Sequence, residues 1–279
     1  MSGSAPSDFI ARIRAALPRM HPSERRLAEV VLNFPGELAS YSATELARLA
    51  NVSNATVTRF VRKIGYASFE EARQDARAGQ RAGAALFRVA PDSQRPDDVV
   101  AAHLAQAGAN LDQTFAAITL EEIDALARAM LAAPRVWVAG MRAAQPVARY
   151  LGWQVLQILP NVNVLPRDGE TLAESIASME PGDCVIMIAL RRPVRDLPAV
   201  MEAIGQRGVR LARIGDIDTD AGCEWDFACA TGAPGPLFNH VAAMALCHML
   251  ASRVIELAGQ TGRARLMRID TLHDSLGEL

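Results

Sequence analysis

An all-α unit followed by an α/β unit on a parallel, doubly wound sheet is the fold class this sequence predicts. Three observations lead there. Over residues 1–90 the apolar side chains recur only at helical spacing, with helix-capping residues between the runs. From Arg135 onward short β-rich runs alternate with helical stretches, the pattern of strands joined by crossover helices in a parallel sheet. The length, 279 residues with 50% hydrophobic and 22% charged side chains, suits two compact domains and excludes a wholly disordered chain. The expected division is 1–87, a linker at 88–97 holding Pro91 and Pro96, and 98–279.

In the first part Ser7 is placed to cap a helix carrying Phe9, Ile10, Ile13 and Leu17, ending near Pro18. Ser23 caps the next, with Leu27, Val30, Val31 and Phe34 at i, i+3, i+4 and i+7, and Pro35-Gly36 stops it. Ser42-Ala43-Thr44-Glu45 reads as a capping box, in which hydroxyl and carboxylate each take the other residue's backbone N–H. The helix after it is expected to bury Leu46 and Leu49. Asn51-Val52-Ser53 turns the chain into a helix from about Asn54 to Ile64, with Val57, Phe60, Val61 and Ile64 on one face and Gly65 just past its end. Ser68-Phe69-Glu70-Glu71 opens another helix, fading by about Gly83.

Helical spacing resumes over Val99–Ile118 and Leu120–Ala132. Strands are expected at 135–139 (ending at Gly140), 161–165, 183–190, 209–214 and 225–230. The continuous apolar run Asp183–Leu190 is what a strand buried on both faces requires. Helices are expected at 145–159, 171–179 and 196–208, with a long apolar one within 236–259. The tail 260–279 reads as partly helical through Leu266, Ile269, Leu272 and Leu276.

Charge is unevenly spread. Residues 1–90 hold 13 Arg/Lys and 8 Asp/Glu, a net +5, which leaves −7 for the remainder. A basic head suits an anionic partner. Cys184, Cys223, Cys229 and Cys247 show no Cys-x-x-Cys spacing, so neither a zinc site nor a disulfide frame is expected, and a reducing cytoplasm is the expected setting. No run of about 18 uninterrupted apolar residues indicates a membrane span, and Met1–Asp8 does not read as a secretory signal. There is no Walker-type loop, Ser-His-Asp pattern or metal-ligand cluster, so no catalytic residue, metal or cofactor is expected.

The helices from Thr44 to Ile64 have helix-turn-helix proportions. With the apolar stripe inward, the outward arc carries Ala55, Thr58, Arg59, Arg62 and Lys63, while Ser53, Asn54 and Thr56 sit at the helix start. Short polar residues there suit base edges in a major groove, and Arg and Lys further along suit bases or phosphates. Spacing alone leaves open a small helical bundle with a solvated basic face. The stretch Ser53–Phe69, with the pattern Ser-x-x-Thr-x-x-Arg-Phe…Lys-x-Gly-Tyr-x-x-Phe, resembles the recognition helix and exit of RpiR-type transcriptional regulators. Leu17–Ala28 and Ser42–Ala47 resemble that family too. The resemblance implies that Ser53, Thr56 and Arg59 face DNA. It also implies that the second part is a SIS (sugar isomerase) domain, so that the fold is an all-α helix-turn-helix domain followed by a SIS-like doubly wound sheet.

Doubly wound sheets bind ligands at the carboxyl ends of their strands. The first such loop is Gly140-Met141-Arg142-Ala143-Ala144-Gln145 and the third is Ala189-Leu190-Arg191-Arg192-Pro193-Val194-Arg195. In phosphosugar-binding SIS domains these loops resemble Gly-x-x-x-Ser and Ser-x-Ser-Gly-x-Thr. This chain keeps Gly140 but has Ala144 in the serine place, and Ala189, Arg191 and Arg192 where Ser, Ser and Gly are expected. Arg142, Arg191, Arg192 and Arg195 are candidates to hold an anionic effector, carboxylate or sugar phosphate, through paired guanidinium hydrogen bonds. The alternative is that they point to solvent or pair with Asp168, Glu170 and Asp196. His240, opening the long C-terminal helix, is either a ligand group or a polar helix-start residue.

Three functions compete: a DNA-binding regulator sensing a small anionic metabolite, a DNA-binding dimer with a ligand-free SIS scaffold, and a phosphosugar isomerase. The last needs a general base against the sugar, and no Glu is well placed for it. The expected partners are double-stranded operator DNA with an inverted repeat, a small-molecule effector, and further copies of the chain in a homodimer or homotetramer.

Overall fold

The computed structural model describes residues 6–33, 38–39, 41–81, 98–190, 197–216 and 222–278. The chain divides into two compact units, residues 1–104 with 233–238, and residues 105–232 with 239–279. Phe34, Pro35-Gly36, the 88–97 linker and Arg191, Arg192 and Arg195 lie outside the described residues.

The first unit contains α1 (Pro6–Ala16), α2 (Pro22–Asn33), α3 (Ala43–Leu49), α4 (Asn54–Lys63) and α5 (Phe69–Arg81). Phe9, Ile13, Leu27, Leu46, Val57 and Phe60 are withdrawn completely from water in its core. Two expected caps move. Helix α1 begins at Pro6, so Ser7 lies inside it. Helix α2 begins at Pro22, so the cap position falls to His21 rather than Ser23. Proline suits the first helical position because the N–H it lacks would find no partner there, and the Glu24 carboxylate accepts the His21 N–H at 2.9 Å. The box at Ser42 forms as the spacing predicts: Ser42 N–H donates to Glu45 at 2.7 Å and Glu45 N–H to the Ser42 hydroxyl at 3.3 Å. Leu49, expected in the core, is half exposed. Leu46, Ala47 and Ala50 share the buried arc at 100° per residue, and Leu49 falls outside it. At α5 the Ser68 hydroxyl accepts Glu71 N–H at 3.1 Å, while the Glu71 carboxylate reaches one residue further back, to Ala67 N–H at 2.6 Å.

Helix α6 (Val99–Phe115) precedes α7 (Leu120–Ala132). The sheet follows: β1 (Val136–Gly140), β2 (Val162–Leu165), β3 (Cys184–Ala189), β4 (Arg210–Gly215) and β5 (Trp225–Ala228), in the order β2-β1-β3-β4-β5 with every pairing parallel. Between and after the strands come α8 (Gln145–Leu156), α9 (Leu172–Ala177), α10 (Leu197–Gly205), α11 (Val241–Leu257) and α12 (Gly259–Leu276). The tail is thus helical almost throughout rather than in part. Among the described residues no single helix is long and apolar enough to cross a membrane.

Alternate strand residues serve opposite faces. Val136, Val138, Ile186, Ile188 and Ile214 pack with α7, α8 and α11. Trp137, Ala139, Val185, Met187 and Leu211 pack on the other side with Leu197, Met201 and Ile204 of α10. Both faces are covered, which is why the strands read as unbroken apolar runs. At the amino ends of β1 and β3, Trp137 Nε1 donates to buried Asp183 at 2.9 Å, and Arg135 pairs with the same carboxylate at 3.3 Å. Strand order reverses between β1 and β3, so a crevice is expected at their carboxyl ends.

Gly215 ends β4, and a Cβ there would stand 2.5 Å from the Ala189 carbonyl oxygen, a backbone atom that cannot rotate aside. Gly215→Ala is expected to destabilise the second unit by about 1–3 kcal/mol, read as a lower urea midpoint. An unchanged midpoint would mean that β3 and β4 do not approach so closely.

Candidate nucleic-acid interface and effector cleft

Helices α3 and α4 are joined by a turn whose geometry the backbone dictates. Asn51 has φ +51°, the left-handed conformation that Asn tolerates better than most side chains. Its N–H bonds the Arg48 carbonyl at 3.1 Å, and Val52 N–H reaches back to Ala47 at 2.8 Å. That pair of bonds is a Schellman closure. The same closure ends α4: Gly65 (φ +92°) bonds Arg62 at 3.1 Å and Tyr66 N–H bonds Val61 at 3.1 Å. At its start the Ser53 hydroxyl accepts Thr56 N–H at 3.2 Å, and Asn54 Nδ2 donates to Thr44 of α3 at 3.1 Å. The helix is therefore pinned at both ends, and Val57, Phe60, Val61 and Ile64 are all buried as the stripe predicts.

The opposite arc presents Asn54, Thr58, Arg59 and Arg62 to solvent, with Ser53 at its exposed start. Two expected members behave differently. Thr56 is buried, its hydroxyl bonded to Ser53 at 3.0 Å and accepting from Arg59 Nη2 at 3.3 Å, so it positions Arg59 instead of facing outward. Lys63 is committed inside the unit, donating to Glu24 at 2.5 Å and to the Arg19 carbonyl at 3.1 Å. Burial alone would raise the Glu24 carboxyl, but Lys63 and the His21 N–H together hold it below the usual glutamate value. A groove of about 640 Å³ lies here, lined by His21, Ser23, Glu24, Arg59, Arg62 and Lys63. His21 and Ser23 were not legible as part of this surface, because α2 and α4 meet only through tertiary packing.

In the second unit the loop after β1 folds back tightly. A Cβ on Gly140 would meet the Ala144 carbonyl oxygen at 2.6 Å and the Ala148 Cβ at 2.9 Å, so only glycine fits. Arg142 has φ +56°, an uncommon conformation for an arginine, and its side chain is exposed at the carboxyl end of β1. Met141 is half-buried against one core and Ala144 is buried in the other, so neither side chain is presented in the crevice. Ala189, where the resemblance calls for serine, is also buried. His240 lies two strands away from β1, within the electrostatic reach of Asp216 at the end of β4. Burial lowers its imidazole below the usual value, with the charge of Asp216 pulling the other way.

Around Asp216 the structure assembles polar groups that the sequence reading missed. Thr231 donates to Asp216 at 2.5 Å. Arg213 on β4 clasps Asp226, its register partner on β5, through two bonds of 2.8 Å. A cavity of about 370 Å³ opens beside Arg213, Gly215, Asp216 and Cys229. Arg213 sits inside an apolar strand run, and the acid that pairs with it is 13 residues on, so only strand register reveals the pair. Burial pushes the Cys184 and Cys229 thiols up to about 12, so both pack as small apolar groups.

A helix-turn-helix with an exposed polar arc, followed by a doubly wound parallel sheet whose strand order reverses between β1 and β3, is the build of a two-part DNA-binding regulator. The family description "Helix-turn-helix domain, rpiR family" matches residues 8–76, and the SIS domain matches residues 129–253. The chain is similar to the HTH-type transcriptional regulator HexR of Pseudomonas aeruginosa, 24% identical over 206 residues, covering 73% of this chain and 72% of that protein. The sugar isomerase domain of an RpiR transcription factor from Sphaerobacter thermophilus is 25% identical with a TM-score of 0.56, covering 61% of this chain and 96% of that one. The Vibrio vulnificus NanR protein, solved in complex with ManNAc-6P, shares the fold over 96% of this chain and 98% of its own, with a TM-score of 0.56 and 17% identity. The chain belongs to the RpiR-type transcriptional regulators.

The left-handed Asn51 tests the turn. Asn51→Val, which the β-branch strains at positive φ, is expected to destabilise the first unit by about 1–2 kcal/mol, whereas Asn51→Gly should leave it at least as stable. Denaturation followed by circular dichroism measures both, and equal effects would remove the left-handed turn as the cause.

Proposed function

We propose that this regulator reads an inverted-repeat operator with α4 and that its SIS unit responds to a small anionic metabolite. The proposal takes residues 1–87 as the DNA-binding head, 88–97 as its linker and 98–279 as the body, in a cytoplasmic homodimer or homotetramer. One observation carries the DNA reading. The buried stripe and the two end closures of α4 leave Ser53, Asn54, Thr58, Arg59 and Arg62 as its outward surface. Asn54, Thr58 and Arg59 are of the residue types that pair with base edges, and Arg62 suits a phosphate. The groove beside it places Ser23 at the amino end of α2, where helix amides favour an anionic group such as a backbone phosphate. Two-fold symmetry of a dimer implies half-sites about one helical turn apart, or a multiple.

The effector reading rests on Gly140 and the exposed Arg142 at the switch point, with Arg191, Arg192 and Arg195 as further candidates. The NanR structure, solved with a phosphorylated amino sugar, supports the class of ligand. Such a ligand regulates only by binding one arrangement of the protein more tightly than another. No catalytic step is assigned, in keeping with relatives named as transcriptional regulators. A second reading, a SIS unit kept as a ligand-free scaffold, is favoured by buried Ala144 and Ala189, which put methyl groups into the cores where hydroxyl donors would be needed.

Arg59→Ala is expected to weaken binding to a selected operator by about 1–3 kcal/mol, measured by fluorescence anisotropy, with the circular dichroism spectrum unchanged. Unaltered affinity in a folded variant would count against α4 as the reading helix. A thermal-shift screen of the full chain against sugar phosphates, sugar acids and small carboxylates separates the two effector readings. A rise in Tm that Arg142→Ala removes supports sensing. No rise across the screen, with operator binding intact, supports the scaffold.

A further inference from the structure

Glu24 is a carboxylate on a basic groove. Its side chain is 5% exposed, and it shares the groove between α2 and α4 with Arg59, Arg62 and Lys63. An acid there works against the anion that the groove suits, and a buried charge is tolerated only with a partner. Lys63 is that partner: its Nζ stands 2.5 Å from Glu24 and also donates to the Arg19 carbonyl at 3.1 Å. The His21 N–H donates to the same Glu24 oxygen at 2.9 Å. Burial raises the Glu24 carboxyl, and Lys63, the His21 N–H and the charge of Arg59 together bring it below the usual glutamate value.

Arg59 is the cation placed to take over from Lys63. The two lie four residues apart, one turn along α4, where side chains are neighbours. A guanidinium suits a carboxylate better than an ammonium does, because two of its N–H groups bond both oxygens in parallel. What steers Arg59 elsewhere is a hydrogen bond of 3.3 Å from Nη2 to the Thr56 hydroxyl, long for its kind and made to a neutral oxygen. Such a bond is weaker than a charge-assisted pair. Lys63 nonetheless holds the carboxylate, and among the described residues Arg59 forms no ion pair and stays exposed.

We infer that Lys63 is a positioning residue: by occupying Glu24 it keeps Arg59 turned outward for a base edge, and it makes no DNA contact of its own. Without the ammonium the buried carboxylate is left unpaired, and Arg59 swings across one turn of α4 to cover it. The guanidinium is then lost to the operator although Arg59 itself is unchanged. This rests on α4 as the reading helix with Arg59 on its surface, and it adds the interaction that keeps Arg59 available.

Affinity of the full chain for a selected operator duplex, measured by fluorescence anisotropy, tests it through a set of variants. Lys63→Met is expected to weaken binding about tenfold, the scale of one lost guanidinium–base contact. Lys63→Met combined with Glu24→Gln removes the capturing carboxylate as well, and is expected to bind within about twofold of the wild type. That pair of changes leaves the net charge of the groove as it was, so long-range attraction to DNA is not altered. In an Arg59→Ala background Lys63→Met is expected to add nothing, because it acts through Arg59. The urea midpoint reports whether each variant is folded. Should Lys63→Met alone fail to fold, the combined variant carries the test, since it buries no unpaired charge. If the combined variant binds about tenfold more weakly than the wild type, or if the Lys63 and Arg59 effects add, Lys63 is itself a phosphate contact and the inference falls. Unchanged affinity in a folded Lys63→Met variant overturns it too. If Arg59→Ala binds like the wild type, it is the reading of α4 that fails, and the inference with it.

Discussion

Val57, Phe60, Val61 and Ile64 leave water along one stripe of a ten-residue helix, and the orientation of everything else on that helix follows from their burial. Burying such side chains stabilises by about 1.5–3 kcal/mol each. The surface hydrogen bonds on the other side are each worth less. Turning the helix by one residue would expose this stripe and draw Thr58 and Arg59 inward, so the apolar term decides which residues face a ligand. Ser53, Asn51 and Gly65 then set where the helix starts, how it is approached and where it ends.

The sheet imposes an equivalent constraint on the second unit. With apolar side chains on both faces, polar chemistry is pushed to the strand ends. The amino ends are closed by Trp137, Arg135 and Asp183. The carboxyl ends carry the tight loop at Gly140, exposed Arg142, and the Asp216–Thr231 pair near His240. The departures from the phosphosugar pattern take on a physical meaning there. Ala144 and Ala189 belong to packed cores, so methyl groups stand where the resemblance calls for hydroxyl donors.

The proposed homodimer or homotetramer would link the two units in function. A single helix-turn-helix covers one half-site, and two-fold reading requires a second copy.

The order and type of the elements were legible in the sequence because they depend on local chemistry. Helical periodicity marked the helices and short β-rich apolar runs marked the strands, the box at Ser42 and the glycine at 65 marked ends, and the alternation of strand and helix required a parallel sheet. The inward stripe of α4, and with it Arg59 and Arg62 facing out, followed from the same periodicity. What only the tertiary structure decided depends on which elements meet. Thr56 turned inward to hold Arg59, and Lys63 was taken up by Glu24, 39 residues away. Leu49 lost its place to alanines that fit the helix contact. Met141 and Ala144 went into cores instead of the crevice, and Arg213 found Asp226 through strand register. Periodicity assigns a residue to a face, but whether that face meets water, an apolar neighbour or an opposite charge is set by packing between segments distant in the chain.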